Sequence, residues 1–221
     1  MRVRTAFLGL LAVGVAAPAA AQDPRLAGRL PDAEHGQIQA LLDSARTAGV
    51  DVEPLVDRAL EGLTKRAPAD RIVAAVDRLL GELVTARDAL GTRASMAELT
   101  AGAAALRAGA RADDLRQLRT LRQDLTVTVA AGALADLVAA GVPADSATSA
   151  VLALATMADD AEYLTFRRDV ERDVALGASP TAALAVRLTA LRDAVRRSGV
   201  EAADQPPGGR PLGTAPRKPK P

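Results

Sequence analysis

His35 is the only histidine in a chain that contains no cysteine, and these two facts close most routes to catalysis. A Ser-His-Asp relay would have to run through His35. That residue sits beside Glu34 at the start of the first helical segment, which is a surface position. Cysteine nucleophiles and thiolate metal sites are excluded. A catalytic zinc ion draws on several His or Cys ligands, and the donors are too few. There is no glycine-rich phosphate loop ending in Lys-Ser or Lys-Thr, no Gly-x-Ser-x-Gly elbow and no Ser-x-x-Lys.

Carboxylates are the next candidates. Asp159, Asp160 and Glu162 cluster at a helix start, and Asp169, Glu171 and Asp173 follow. Calcium takes six to eight oxygen ligands, usually from a loop with a glycine turn, and neither the spacing nor the glycine is present here. Asp159 and Asp160 read as cap and first-turn acids, and Glu171 and Asp173 as partners of neighbouring arginines. A glycosidase pair would need a cleft, normally rich in aromatics, yet Phe7, Tyr163 and Phe166 are the only aromatic residues. Tyr163 and Phe166 share a helix face with Val170 and Val174 and read as a core plug. Arg116, Arg119 and Arg122 alternate with Leu115, Leu118 and Leu121, and Arg187, Arg192, Arg196 and Arg197 enrich the final helix. Both sets read as solvated polar faces. No catalytic, metal or cofactor-binding residue is expected.

The elements that carry these residues are helical. The 221 residues include 51 Ala and 25 Arg, while hydrophobic residues make up 49% of the chain. Ala is the strongest helix former, followed by Leu and Arg, and β-branched and aromatic strand formers are thin. The predicted class is all-α with about nine helices and no sheet. Asp32 caps a helix to Ala48, a second is marked by Leu55 to Leu63, and a third over 69–90 carries one apolar stripe. Ser95 and Glu98 have capping-box spacing and open a fourth, which stops at Gly109. Residues 112–140 could form one helix. The alternating Asp124–Val129 run favours a break there, giving helices at 112–123 and 127–140. Three more are expected at 144–157, 159–175 and 180–198, the last ended by Gly199.

One junction recurs along the chain: an apolar residue, then a capping or proline residue, then often an acid. The copies start at Val50, Ala67, Ala94, Ala110, Val142, Ala158 and Ala178. Asp51, Pro68, Ser95, Arg111, Pro143, Asp159 and Ser179 come next, and all but Arg111 suit the start of a helix. Glu53, Asp70, Asp113 and Asp145 then place an acid near the helix dipole. Successive hairpins step by 44 and 48 residues. This period resembles that of HEAT and armadillo units over residues 50–198, without their residue signatures. A degenerate array of antiparallel helix hairpins and an irregular bundle with shared cap chemistry both fit the pattern.

The ends differ from this body. Arg2 and Arg4 precede an apolar run over residues 6–17 and Ala19-Ala20-Ala21, the pattern of a secretory signal peptide cleaved near Ala21. The run is too short to be a membrane span, so no transmembrane helix is expected in the mature chain. Residues 22–31 read as a leader, 32–203 as one helical domain and 204–221 as a disordered tail. The tail holds six Pro between residues 206 and 221 together with Arg210, Arg217, Lys218 and Lys220, and these four are the candidate partner contacts. Residues 22–203 carry 22 basic and 26 acidic side chains, which argues against nucleic acid as a ligand. Together these features predict an exported, periplasmic or secreted, non-enzymatic helical scaffold. Its expected partner is another protein or an anionic envelope component. A tail-tethered module and a small-ligand carrier are the rival readings. Circular dichroism of residues 22–221 should be strongly helical, and a strand-rich spectrum would end the all-α reading.

Overall fold

A computed structural model describes the backbone of residues 23–203 and the side chains of residues 23–197. These residues form nine helices and no strand: α1 Asp32–Ala48, α2 Glu53–Thr64, α3 Ala69–Leu90, α4 Met96–Arg107, α5 Ala112–Leu121, α6 Thr128–Ala139, α7 Ala144–Leu154, α8 Asp160–Ala175 and α9 Pro180–Ala203. The all-α expectation holds, and residues 112–140 divide into two helices at the alternating run. Two details differ. Asp32 lies in the first turn of α1, with Pro31 in the capping position. Helix α9 continues through Gly199, because one glycine inside a helix costs only about 1 kcal/mol against Ala and helix-compatible residues follow it.

The recurring sequence junction has a physical identity. A residue with positive φ follows the helix at six of the eight junctions; Gly91 has an extended ψ, whereas Gly49, Arg66, Gly109, Gly141 and Gly177 share one arrangement. In these five the next N–H reaches back five residues, as in Val50 to the Ala45 carbonyl at 2.9 Å and Val142 to the Leu137 carbonyl at 3.0 Å. Ala67, Ala110 and Ala178 do the same with Gly62, Ala105 and Asp173. This is the Schellman arrangement, which satisfies the last carbonyls of one helix. Its apolar residue is directly followed by the start of the next helix. Val50, Ala110 and Val142 are buried, so these turns are pinned to the core.

Every substantial helix–helix contact joins elements one or two places apart in the chain. Helices α1, α3, α5, α7 and α9 touch in succession and form one row, while α4, α6 and α8 form a second. The contacts α2–α3, α3–α4, α6–α7 and α8–α9 tie the rows together. Such nearest-neighbour contact is the geometry of a helical-repeat array. Helix α2 is the exception, since it packs on α3 without substantial contact with α4.

The core is built mainly from Ala, Leu and Val, with Tyr163 and Phe166 as its buried aromatics among the described residues. Small side chains let helices approach closely. A Cβ placed on Gly102 of α4 would stand 3.1 Å from Ala86 and 3.2 Å from Leu90, both on α3. The segment before α1 is more than a leader. Leu26 is fully buried in the core, and Arg25 bridges Asp23 and Glu53 at 2.8 and 2.7 Å.

Two glycines separate conformational from packing effects. Gly81 lies exposed inside α3 with open space around its α-carbon, so Gly81→Ala should stabilise by about 0.5–1 kcal/mol. Gly109 has φ +110° and a would-be Cβ 3.1 Å from Ala144, so Gly109→Ala should destabilise by about 1–3 kcal/mol. Urea midpoints of the two variants should move in opposite directions.

Candidate functional site

The charged groups singled out by spacing are largely consumed by the fold. Glu98 is only 7% exposed. Its Oε2 accepts the Ser95 N–H at 2.9 Å and the Ser95 hydroxyl at 3.2 Å. Its Oε1 accepts the Val127 N–H at 3.1 Å and an Arg119 guanidinium N–H. One carboxylate therefore closes the capping box of α4 and holds the approach to α6. Burial would raise its pKa, but the Ser95 N–H, Arg119 and the Val127 N–H outweigh that and hold it at about 2.

Arg122 is 2% exposed. Its Nε donates to the Thr126 carbonyl at 3.1 Å, Nη1 to the Ala158 carbonyl at 2.9 Å and Nη2 to Asp160 at 2.7 Å. The guanidinium carbon lies 5.3 Å from the centroid of the Tyr163 ring, within cation–π reach. The Tyr163 hydroxyl donates to the Val151 carbonyl at 2.7 Å, and burial pushes its pKa up to about 12 despite the nearby cation. The expected solvated face of Arg116, Arg119 and Arg122 is thus corrected. Arg116 alone fits it, exposed and paired with Asp113 at 2.5 Å. Each three-residue step turns about 60° backwards around a helix with 3.6 residues per turn. The series therefore drifts off one face, and Arg122 falls beyond the last turn of α5.

The remaining candidates are also structural. Asp159 and Glu162 form the capping box of α8 at 2.7 and 2.8 Å. Glu171 lies 3.7 Å from Arg167, and Arg187 clasps Asp173 at 2.6 and 2.7 Å. His35 is half-buried, with its Nε2 3.5 Å from the Gln39 amide nitrogen. No serine or carboxylate completes a relay with it among the described residues. Among those residues no group of three His, Asp or Glu is placed to hold a metal ion, and no helix is long and apolar enough to cross a membrane. Arg210, Arg217, Lys218 and Lys220 lie outside the described residues, as do residues 1–21.

What the fold leaves unused lies where α2 and α4 part. A groove with cavities of about 470 and 260 Å³ runs along α3, joined through Arg58, Leu79 and Arg107. Helix α2 supplies one wall with Pro54, Asp57, Arg58 and Glu61, a face with spacing i, i+3, i+4, i+7. Thr100, Ala104 and Arg107 of α4 form the other wall, over a floor of Leu79 and buried Leu83. Arg71 and Arg78 line the same trough, seven residues apart on α3. Arg58 and Lys65 both bind Glu61, at 2.8 and 2.5 Å, and Arg107 binds Glu82. Arg71 and Arg78 have no ion-pair or hydrogen-bond partner among the described residues. The sequence gives a weak hint of them in the seven-residue spacing, but they sit on what reads as an ordinary polar face. Arg58 and Arg107 come from other helices, so no local pattern could have joined them. A second cavity of about 300 Å³ between α8 and α9 is floored by Phe166 and Leu191. The carboxylates at its rim, Asp159, Glu162 and Asp169, are already bonded.

Comparison with protein-family models, curated protein sequences and solved structures finds no match for this chain.

Glu98 makes the fold acid-sensitive. Its folded pKa of about 2 lies below the ordinary 4.5, so its stabilisation is complete above about pH 4.5 and lost as pH falls towards 2. The shift corresponds to about 3 kcal/mol. Urea unfolding of Glu98→Gln should show a loss of about 2–4 kcal/mol at neutral pH and a flatter decline between pH 5 and pH 2 than the parent. An unchanged slope would remove Glu98 from this role.

Proposed function

We propose that the protein is an exported, non-enzymatic helical array that acts as a scaffold or protein-interaction module in the cell envelope. The observation that supports this most is the α2–α3–α4 groove, where two arginines without partners face one trough, while the Glu98, Arg122, Asp159 and Asp173 clusters serve as structural fasteners. Repeat arrays offer extended surfaces and need no catalytic residue, an argument by analogy of architecture. The single histidine, the lack of cysteine and the missing nucleophile motifs weigh against enzymatic chemistry. Export rests on the basic, apolar and small-residue order of residues 1–21.

A second reading places function in the tail. Residues 204–221 carry four basic side chains against one acid, whereas the body is net acidic. Such an arm would bind an anionic envelope surface through charge and lose that binding as salt rises.

Crosslinked capture from the native envelope separates the two readings. Residues 22–221 and a version ending at Asp204 should capture the same partner if recognition belongs to the helices. Capture by the longer chain alone would assign it to Arg210, Arg217, Lys218 and Lys220. Capture by neither would overturn both.

A further inference from the structure

We propose that the groove between α2 and α4 receives an acidic amphipathic helix of a partner protein, with its carboxylates on Arg71 and Arg78 and its apolar side chains on Ala74, Ala75 and Leu79. The proposal rests on the reading of this protein as an interaction module and names what the module takes.

Three observations carry it. The first is topological. In the row α4, α6, α8 consecutive helices touch, whereas α2 and α4 leave the surface of α3 open between them. The vacancy is bounded by helix faces on three sides, which is how an amphipathic helix is received in a groove. The second is the balance of charge. Among the groove's ion pairs, Glu61 is shared by Arg58 and Lys65, and Glu82 is taken by Arg107. Asp57 is the one lining acid without a bonded partner among the described residues, against two such arginines. Exposed arginines at large would say little. These two face one trough, so an incoming carboxylate meets two cations to which no resident acid is bonded.

The third observation is spacing. Arg71 and Arg78 stand seven residues apart on one helix, about 10 Å along its axis. A ligand helix running beside α3 matches that interval with acids at its own i and i+7 positions. An apolar residue at i+3 or i+4 then falls between them, over Ala74 and Ala75, and one beyond the acid on Arg78 reaches Leu79. A groove of about 470 Å³ accommodates a few inserted side chains, so the ligand lies on the surface and sends anchors in. Nucleic acid fits poorly, because the body as a whole is net acidic and aromatic stacking platforms are missing.

The test is fluorescence anisotropy on residues 22–221 with a labelled helical peptide carrying Glu at i and i+7 and Leu at i+3 and i+4. Its Gln counterpart and inorganic polyphosphate serve as comparisons. The Glu peptide should bind, with an affinity that falls as salt rises, and the Gln peptide should not. The double variant R71E/R78E should weaken binding by about tenfold or more, the sum of two exposed pairs replaced by repulsion. R168E/R192E carries the same change of net charge on exposed arginines of α8 and α9 and should alter affinity by less than about twofold. Unchanged circular dichroism in both variants keeps misfolding out of the comparison.

No binding by the Glu peptide, equal binding by the Gln peptide, or equal loss in R168E/R192E would overturn the proposal. Displacement by polyphosphate as effective as by unlabelled peptide would reduce the groove to an anion site. Dimers of the parent that R71E/R78E converts to monomers would assign the groove to a second copy of this chain. Repeating the envelope capture with R71E/R78E distinguishes the two levels of failure. A partner still captured sinks the groove while leaving the module standing, whereas no partner for any version sinks the module itself.

Discussion

Arg122 is the buried charge on which the array turns. Most junctions reverse the chain with a positive-φ residue, usually glycine, but the α5–α6 and α7–α8 junctions have none among the described residues. The guanidinium of Arg122 serves both. It donates to the Thr126 carbonyl before α6, and to the Ala158 carbonyl and the Asp160 carboxylate at the entrance to α8. Burying a guanidinium costs several kcal/mol unless its hydrogen bonds are met. Here three bonds and the face of Tyr163 meet that cost. The residue that could not lie in a solvated row is therefore the one that ties together the two turns without a positive-φ residue.

Glu98 does the complementary task two junctions earlier, at the start of α4. The α3–α4 turn uses Gly91 with φ +90° but an extended ψ, so the left-handed Schellman geometry is absent there as well. The Ser95–Glu98 capping box sets the start of α4, and the same carboxylate reaches across to Arg119 and to the Val127 N–H. Glu98 and Arg122 thus bracket the α5–α6 break from its two sides. Polar links of this kind fix helix positions where an alanine-rich core offers few large anchors. The plain Schellman junctions need no such help, because their backbone bonds and buried apolar residues already determine the reversal.

These differences explain what could be read from the sequence. Junction chemistry is local, so Val50, Ala67, Ala110, Val142 and Ala178 mark their turns by residue type and neighbour alone. The capping boxes at Ser95 and Asp159 are equally local, and so is the break in the Asp124–Val129 run. The fate of Arg119 and Arg122 is not local. It depends on which element lies beyond the end of α5, and spacing within one helix is silent on that. The pairing of Leu26 with the core and of Arg25 with Glu53 joins segments 28 residues apart, which a leader rich in Pro and Gly does not announce. The candidate groove was hidden for the same reason. Its arginines come from α2, α3 and α4, and only the order in which helices pack brings them to one trough.

That packing order also explains why the groove lies at this end of the array. The segment before α1 buries Leu26 and ties Glu53, the first residue of α2, to Arg25. Helix α2 is thereby held from its N-terminal side while its buried Leu55, Val56 and Ala59 face the core. At its other end a would-be Cβ on Gly62 stands 2.7 Å from Ile72, so α2 is pressed against the start of α3. Helix α4 engages the later part of α3, where Gly102 sits against Ala86 and Leu90. The two helices grip α3 at different heights and leave its middle turns, with Arg78 and Leu79, uncovered between them. Further along, α4, α6 and α8 touch in succession, so no such gap opens in their row. The open trough is a consequence of anchoring α2 to the N-terminal segment as well as to α3, and Arg71 and Arg78 within it are the cations no neighbouring helix arrives to neutralise.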